Sequence, residues 1–299
     1  MRVIVPPVKC QGIKTKLVPW ISRMLQDFSG VWYEPFMGSG VVGFNIMPNK
    51  AVFSDTNPHL ICLYNDIKNK IITPQKLRDF LEKEAPNLLA GTDEYYREVR
   101  ERFNDNPNSY DFIFLNRACF NGMIRFNSKG RFNVPFCKKP NRFSPAYITK
   151  IVNQVRNVQE LIQSKDYSFT LCSFENSIKS ATSDDFIYCD PPYIDRYSDY
   201  FNSWSEQDES ELFVLLKKTE AKFILSTWYG NKYRNNQYID KYWSNFNVVQ
   251  KEHFYHLGAS EKNRNKMIEA LIFNYKKSNL VEIKSFLEES DIAQLSLVK

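Results

Sequence analysis

Residues 31–55 have the sequence VWYEPFMGSGVVGFNIMPNKAVFSD. The apolar run over 31–36 predicts a short buried strand, and the apolar run over 41–47 predicts a helix. Between them, Gly38-Ser39-Gly40 predicts a tight turn. The stretch therefore predicts a strand, a glycine loop and a helix, in that order.

A second strand-to-helix unit follows directly. Residues 51–55 predict a strand that ends on Asp55, and apolar positions at Leu60, Leu63 and Ile67 predict a helix after it. Two consecutive units of this kind predict an α/β fold with a parallel, doubly wound, Rossmann-like sheet. Later segments extend the pattern with helices over 148–163 and 208–219, and with strands over 167–172, 186–189, 222–227, 248–255 and 267–275.

The middle of the chain departs from this alternation. Helical patterns such as 93–103 are followed by a basic stretch rich in Asn and Gly, so we expect an inserted, mainly helical domain over 72–145. The segments 1–71 and 146–299 would then form one main domain. A chain of 299 residues with 43% hydrophobic content is long enough to bury one large core and a smaller appended unit.

Basic residues are concentrated in one stretch. The formal net charge is +6, yet residues 112–159 contain no Asp or Glu. The same stretch contains nine Lys or Arg residues, at positions 117, 125, 129, 131, 138, 139, 142, 150 and 156. A basic segment of this kind, interleaved with Phe, Asn and Tyr, is typical of a surface that tracks phosphates. A solvated basic face is the alternative interpretation.

Several other classes of protein are disfavoured. No apolar run approaches the roughly 18 residues needed to span a bilayer, and the first ten residues lack the apolar core of a signal peptide, so we expect a cytoplasmic protein without a membrane partner. The six cysteines include no Cys-x-x-Cys pair, which favours reduced thiols. His253 and His256 lie three apart on a predicted strand and would face opposite sides, so no metal is expected.

The most specific motif is Asp190-Pro191-Pro192-Tyr193, directly after the predicted strand 186–189. An exocyclic amine on a purine is a poor nucleophile, because its lone pair is delocalised into the ring. The Asp190 carboxylate and the Pro191 carbonyl could accept the amine hydrogens, and the two prolines would hold these acceptors in place. Tyr193 could stack on an extruded base, with Phe201 or Trp204 as a further aromatic wall.

Two weaker signals lie nearer the N-terminus. The glycines of Glu34-Pro35-Phe36-Met37-Gly38-Ser39-Gly40 would let the backbone approach a ligand closely, and Asp55 could bind ribose hydroxyls. Alone, this pattern fits a dinucleotide fold or an ordinary glycine turn equally well. The N-terminal segment Pro6 to Lys14, the leader, ends on Lys14, which could bind a carboxylate of the ligand. A disordered basic tail would have a similar sequence.

Taken in order, these signals resemble the Dam-type DNA adenine-N6 methyltransferases of the alpha arrangement. The similarity extends to about Tyr275. It rests on Lys9 to Lys14 of the leader, Glu34 to Gly40, Ser54-Asp55-Thr56-Asn57, Leu115-Asn116-Arg117, Asn121-Gly122, Phe132-Asn133-Val134-Pro135-Phe136 and Tyr188 to Tyr193. The segments Gln11 to Leu17 and Cys119 to Asn127 are most similar to the EcoRV-type modification methyltransferases.

This resemblance implies S-adenosylmethionine as the cofactor and double-stranded DNA as the partner, with no obligate protein partner evident. It implies cofactor contacts from Lys14, Asp55 and Asp190, with the loop of Glu34, Phe36, Gly38 and Gly40 beneath the cofactor. Cys10 occupies the position at which Dam-type enzymes have a tryptophan against the cofactor adenine. Residues 72–145 would be the target-recognition domain.

The same resemblance implies a set of DNA contacts. Lys9 matches a position that reads the first guanine, and the loop that enters the recognition site contains Phe120, Asn121, Met123 and Arg125. Lys138 and Lys139 would contact phosphates or base edges. The implied target contains GAT, with GATATC as the first expectation and GATC as the second, in a restriction-modification system.

Other functions remain open at this point. An enzyme of the same fold could act on RNA adenine, on cytosine N4 or on a protein amide. A DNA-binding protein with an inactive site would fail to bind the cofactor. A nicotinamide-dependent dehydrogenase would leave Asp190-Pro191-Pro192-Tyr193 unexplained.

Overall fold

The computed structural model describes residues 3–194, 204–231, 233–254 and 266–277. Phe201 and His256, named above, lie outside these ranges, as do a polar loop expected over 258–264 and an amphipathic helix that the sequence predicts over 281–297. Within them, no helix is long and apolar enough to cross a membrane.

A seven-stranded sheet forms the centre of the protein, with strand order β3-β2-β1-β4-β5-β7-β6. Its strands are β1 (Trp32–Glu34), β2 (Lys50–Asp55), β3 (Asp166–Leu171), β4 (Phe186–Cys189), β5 (Lys222–Asn231), β6 (Asn247–Phe254) and β7 (Lys266–Phe273). The strands β3, β2, β1, β4 and β5 are parallel, whereas β7 runs antiparallel to both of its neighbours. The predicted α/β fold with a doubly wound parallel sheet is confirmed.

Both faces of the sheet are covered, as the near-continuous apolar strands require. Phe186 and Tyr188 pack into one apolar cluster, and Ile187 and Cys189 pack into the other. Successive side chains of a strand point to opposite faces, so β4 is buried on both sides. A central parallel strand of this kind brings its carboxyl end to the same edge as β1, β2 and β3.

Eight α-helices occur among the described residues: α1 (Val18–Met24), α2 (Gly43–Ile46), α3 (Pro58–Lys68), α4 (Pro74–Asp105), α5 (Ser109–Ala118), α6 (Pro145–Ser164), α7 (Phe174–Lys179) and α8 (Glu206–Lys218). Several begin with local signals. The Asn57 side chain accepts hydrogen bonds from the backbone at the start of α3, and Ser205 and Asp208 form a capping box at α8.

The insertion is mainly helical, as predicted, but its first helix is far longer than residues 93–103. α4 continues through Pro86 and is interrupted at Thr92, whose φ of 49° and ψ of −121° are not helical. It packs against α5 and α6, and Leu77 and Phe103 belong to the same apolar cluster as Phe44 of α2. The insertion therefore shares its core with one face of the sheet.

Candidate functional site

A cavity of about 240 Å³ opens at the carboxyl ends of β1 to β4. In doubly wound sheets, ligands bind at this edge, where strand order reverses. Of the residues predicted to bind a cofactor or act in catalysis, those that line the cavity are Cys10, Lys14, Glu34, Phe36, Gly38, Asp55, Asp190 and Pro192. Gly40, Pro191 and Tyr193 are not part of its wall. The structure thus gathers residues from both sides of the insertion, within 10–60 and 173–208, around one cleft.

The glycine loop is tied to the end of β2. The backbone N–H of Gly38 donates to Oδ2 of Asp55 at 2.9 Å, and that of Asn57 donates to Oδ1 at 2.9 Å. Burial raises the pKa of Asp55 despite these hydrogen bonds. Gly38 and Gly40 have φ values of 46° and 70°, a region that favours glycine. The loop therefore holds the Asp55 carboxylate in a fixed position at the rim of the cavity.

Glu34 is a buried acid beneath the same loop. Its Oε2 atom accepts hydrogen bonds from Nε1 of Trp32 and from the backbone N–H of Gly43, both at 2.9 Å. Burial nevertheless raises the pKa of Glu34 to about 8. A Cβ atom at Gly43 would lie 2.6 Å from Oε2 of Glu34, so close packing at the start of α2 requires a glycine there.

Lys14 is buried in the leader and reaches across to the end of β4. Its Nζ atom lies 2.9 Å from Oδ1 of Asp190, and it donates to the Tyr193 hydroxyl and to the Gly12 carbonyl, each at 3.1 Å. Only 2% of the Lys14 side chain is exposed. The leader is therefore an ordered part of the site, and the interpretation of it as a disordered tail is wrong.

Asp190 combines burial with a nearby cation. Burial raises the pKa of Asp190 to about 6, Lys14 lowers it, and Glu269 of β7 adds to the rise. At neutral pH the carboxylate is ionised and can accept hydrogen bonds. Because 21% of its side chain is exposed, a ligand in the cavity can reach it.

Aromatic rings form one wall of the cavity. Phe36 stacks on Phe174 and meets Trp204 edge-on, with ring centroids 5.4 Å apart in each pair. Nε1 of Trp204 donates to Glu209 at 2.8 Å, which holds the indole in place. Phe174 was not singled out from the sequence, because α7 is only six residues long and its periodicity is weak.

Glu175 is a second residue of this wall that the sequence did not indicate. It lines the cavity beyond the end of β3, and its Oε2 atom is buried without a hydrogen-bond partner among the described residues. An unpaired buried acceptor is costly, so a donor on a ligand would be bound favourably there. In the same ranges, no group of three or more His, Cys, Asp or Glu is placed to hold a metal ion.

Two segments that contain predicted DNA contacts meet at Asn116, a fully buried residue of α5. The Asn116 side chain accepts from the backbone N–H of Lys9 at 2.8 Å, and donates to the carbonyls of Lys9 at 2.9 Å and Gly122 at 3.1 Å. Burial lowers the pKa of the Lys9 ammonium. Asn116 therefore fixes the leader against the loop that follows α5, a role that sequence reasoning did not assign to it.

That loop presents the other predicted DNA contacts. Phe120 is 50% exposed, and Asn121 is exposed with a φ of 54°. Met123 is half-buried. Nε of Arg125 donates to the Asn133 side chain at 2.9 Å. Lys138 and Lys139 are both exposed, farther along the same irregular segment.

Comparison with known proteins shows which sequences this chain is similar to. The sequence model of the D12 class N6 adenine-specific DNA methyltransferases matches residues 11–257. The chain is 30% identical to the type II methyltransferase M.MjaIII of Methanocaldococcus jannaschii over 305 residues, covering 90% of this chain and 99% of that protein. It is 26% identical to the type II methyltransferase M1.LlaDCHI of Lactococcus lactis subsp. cremoris, covering 90% and 95%. It is 28% identical to the DNA adenine methylase of Haemophilus influenzae, covering 77% and 84%.

Proposed function

Because the chain belongs to the D12 class of N6 adenine-specific DNA methyltransferases, we propose that it uses S-adenosylmethionine to methylate adenine N6 at one short duplex DNA site. The observation that carries this proposal is the position of Asp190. Its carboxylate lies at the carboxyl end of β4, faces the cavity and is ion-paired with the buried Lys14. That arrangement suits an acceptor for the hydrogens of an aromatic amine.

The residues around the cavity fit the chemical groups of S-adenosylmethionine. Asp55 is oriented to accept hydrogen bonds from ribose hydroxyls, and the unpaired Oε2 atom of Glu175 suits the amino group of the cofactor adenine. Lys14 and Asp190 offer opposite charges for the carboxylate and ammonium of the methionine part. Bound there, S-adenosylmethionine supplies a methyl group on a positively charged sulfur.

Methyl transfer forms a bond between N6 and the methyl carbon, breaks the sulfur–carbon bond and releases one proton from the amine. The target adenine must leave the helix to reach the cavity. Asp190 and the Pro191 carbonyl would accept the two amine hydrogens, which favours the tetrahedral nitrogen that attacks the methyl carbon. Tyr193 would stack on the extruded base.

We assign target recognition to residues 72–145. Lys9, Phe120, Asn121, Met123 and Arg125 would read or enter the site, and Lys138 and Lys139 would contact the backbone. By resemblance to EcoRV-type enzymes, the proposed target is GATATC, with GATC second. The type II methyltransferases among the relatives support a role as the modification enzyme of a restriction-modification system.

The experiment measures transfer of a labelled methyl group from S-adenosylmethionine to unmethylated duplex DNA and maps the modified bases by sequencing. The expected result is N6-methyladenine at one short motif. Labelling of RNA, of cytosine or of protein, with none in adenine of duplex DNA, would contradict the proposal.

Asp190→Ala tests the catalytic role, and Asp184→Ala is its control. The two aspartates lie near opposite ends of β4. The first should abolish transfer while DNA binding persists, and the second should leave transfer unchanged. Because the pKa of Asp190 is raised to about 6, the rate of the unaltered enzyme should fall as the pH drops through that value, where the carboxylate becomes protonated. Normal turnover by Asp190→Ala would remove Asp190 from the mechanism.

A further inference from the structure

A buried carboxylate on β7 is connected to the site by a chain of hydrogen bonds. Glu269 is fully buried, with 0% of its surface exposed. Its Oε2 atom accepts a hydrogen bond from the Tyr193 hydroxyl at 2.7 Å. The same hydroxyl accepts from Nζ of Lys14 at 3.1 Å, and that ammonium lies 2.9 Å from Asp190.

Packing alone does not account for a charged residue at this position. An ionised carboxylate is expensive to bury, and a glutamine of the same size would accept the Tyr193 hydrogen bond at a smaller desolvation cost. Glu269 pairs in register with Trp228 of β5 and with Lys251 of β6, in the interior of the sheet, where apolar residues are the rule. Lys251 gives the charge a neighbour of opposite sign within the sheet, and the Tyr193 hydroxyl gives it a purpose at the site.

That purpose is visible in the charges that act on Asp190. Lys14 lowers the pKa of Asp190 and Glu269 raises it, so two carboxylates share one ammonium, directly on one side and through a hydroxyl on the other. Three further titratable groups interact with Asp190: Glu34 from the neighbouring β1, and Tyr188 and Cys189 from the end of β4 itself. Burial raises the pKa of each of these three, so that they are mostly neutral near pH 7.

We propose that Glu269 is a positioning residue of the methyl-transfer site, which holds the Tyr193 hydroxyl and, through it, the Lys14 ammonium. This inference rests on the proposed function. With its hydroxyl held as donor on one side and acceptor on the other, the Tyr193 ring keeps one orientation for the extruded base. The Lys14 ammonium, shared in the same way, stays within reach of Asp190. Hydrogen bonds to charged groups are short and strong, so this chain is well suited to that task.

The test compares Glu269→Gln with Asp185→Asn. Asp185 is a matched control, because it is also buried and accepts a hydroxyl, that of Thr182, at 2.9 Å, but it lies at the opposite end of β4 from Asp190. For each variant we would measure kcat, KM for S-adenosylmethionine, and the fluorescence of 2-aminopurine placed at the target adenine. Glu269→Gln keeps a neutral hydrogen bond, so we expect kcat to fall about 3- to 30-fold, the difference between a hydrogen bond to a charged group and one to a neutral group, with little change in KM. Flipping fluorescence should also change, whereas Asp185→Asn should match the wild type in all three.

The pH profile separates positioning from a loss of structure. Removing the negative charge of Glu269 should lower the pKa of Asp190, so the acid limb of kcat should move to lower pH in Glu269→Gln and stay in place in Asp185→Asn. Tyr193→Phe removes the linking hydroxyl, and its effect on kcat should not multiply with that of Glu269→Gln. Wild-type kcat and an unmoved acid limb in Glu269→Gln would overturn the inference, as would fully multiplicative effects.

The pH dependence of S-adenosylhomocysteine binding reports on the same Lys14–Asp190 pair without turnover. This pH dependence of binding should shift in Glu269→Gln, or in Tyr193→Phe if Glu269→Gln fails to fold. An unshifted profile overturns the role of Glu269 even in a preparation that methylates no DNA. A shifted profile in a preparation without methylation would instead contradict the proposed reaction alone.

Discussion

Replacing Glu34 by Gln should make the stability of this protein less dependent on pH. Glu34 is 2% exposed and accepts two hydrogen bonds on a single oxygen, from Trp32 and Gly43. Burial outweighs those bonds and raises its pKa from 4.5 to about 8. A Gln side chain has the size and the acceptor of the protonated acid, but it cannot ionise.

The sign and magnitude follow from proton linkage. Between its unfolded pKa of 4.5 and its folded pKa of about 8, Glu34 keeps its proton in the folded state and loses it in the unfolded state. Its contribution to stability is therefore full below pH 4.5 and decreases as the pH rises, by roughly 1 kcal/mol per pH unit. From pH 5 to pH 8, the wild type should lose roughly 3 kcal/mol more than Glu34→Gln.

Urea unfolding followed by tryptophan fluorescence, at one-unit steps from pH 5 to pH 8, measures this difference. Other buried acids, such as Asp190, titrate in both proteins and cancel in the comparison. Glu82→Gln changes an exposed carboxylate of α4, whose side chain is 54% exposed, and should follow the wild type. Parallel pH profiles for wild type and Glu34→Gln would refute the reasoning, because they would mean that Glu34 is ionised in the folded protein.

Two predictions concern the loop after α5, which we propose contacts DNA. Arg125→Ala should reduce discrimination between the recognition site and a site with one altered base pair by roughly 1–3 kcal/mol, measured as a ratio of Kd values; an unchanged ratio would indicate a phosphate contact. Gly122→Ala should destabilise the protein more than Gly130→Ala in urea unfolding. Both glycines have left-handed φ values, 68° and 70°, which cost roughly 1–2 kcal/mol with a Cβ, but only the Cβ at 122 would collide with Lys9. Equal losses would contradict the packing argument.

The strands near the site could be predicted almost to the residue. The range predicted for β4 is the observed Phe186–Cys189, and β3 differs from its prediction by one residue at each end. β4 is buried on both faces and is an uninterrupted apolar run. β3 lies at the edge of the sheet, and its buried Tyr167 and Phe169 alternate with less buried residues. Where such a pattern exists, the position of the acid that follows the strand is known as well, which is why Asp55 and Asp190 could be identified.

Helices with weaker patterns were harder to predict. Only 93–103 was predicted within α4, because the helix contains Pro86 and a non-helical residue at Thr92, and its surface is strongly polar. Packing against α5 and α6 stabilises this helix despite those interruptions. The short α7 was missed for the complementary reason: six residues give too few turns for a period to be recognised.

The sequence by itself determined the order of elements, the position of the acidic motifs at the carboxyl ends of strands, and the basic, acid-free segment. Each of these depends on apolar patterns, turn residues or charges, which are local properties of the chain. Only the tertiary structure decided which side chains meet. Lys14 bonds to Tyr193, 179 positions away, Lys9 bonds to Asn116, 107 positions away, and Tyr193 bonds to Glu269, 76 positions away. No local period encodes such pairs, because each depends on how strands and loops from distant segments are brought to one edge of the sheet, where burial then makes every unpaired polar group costly.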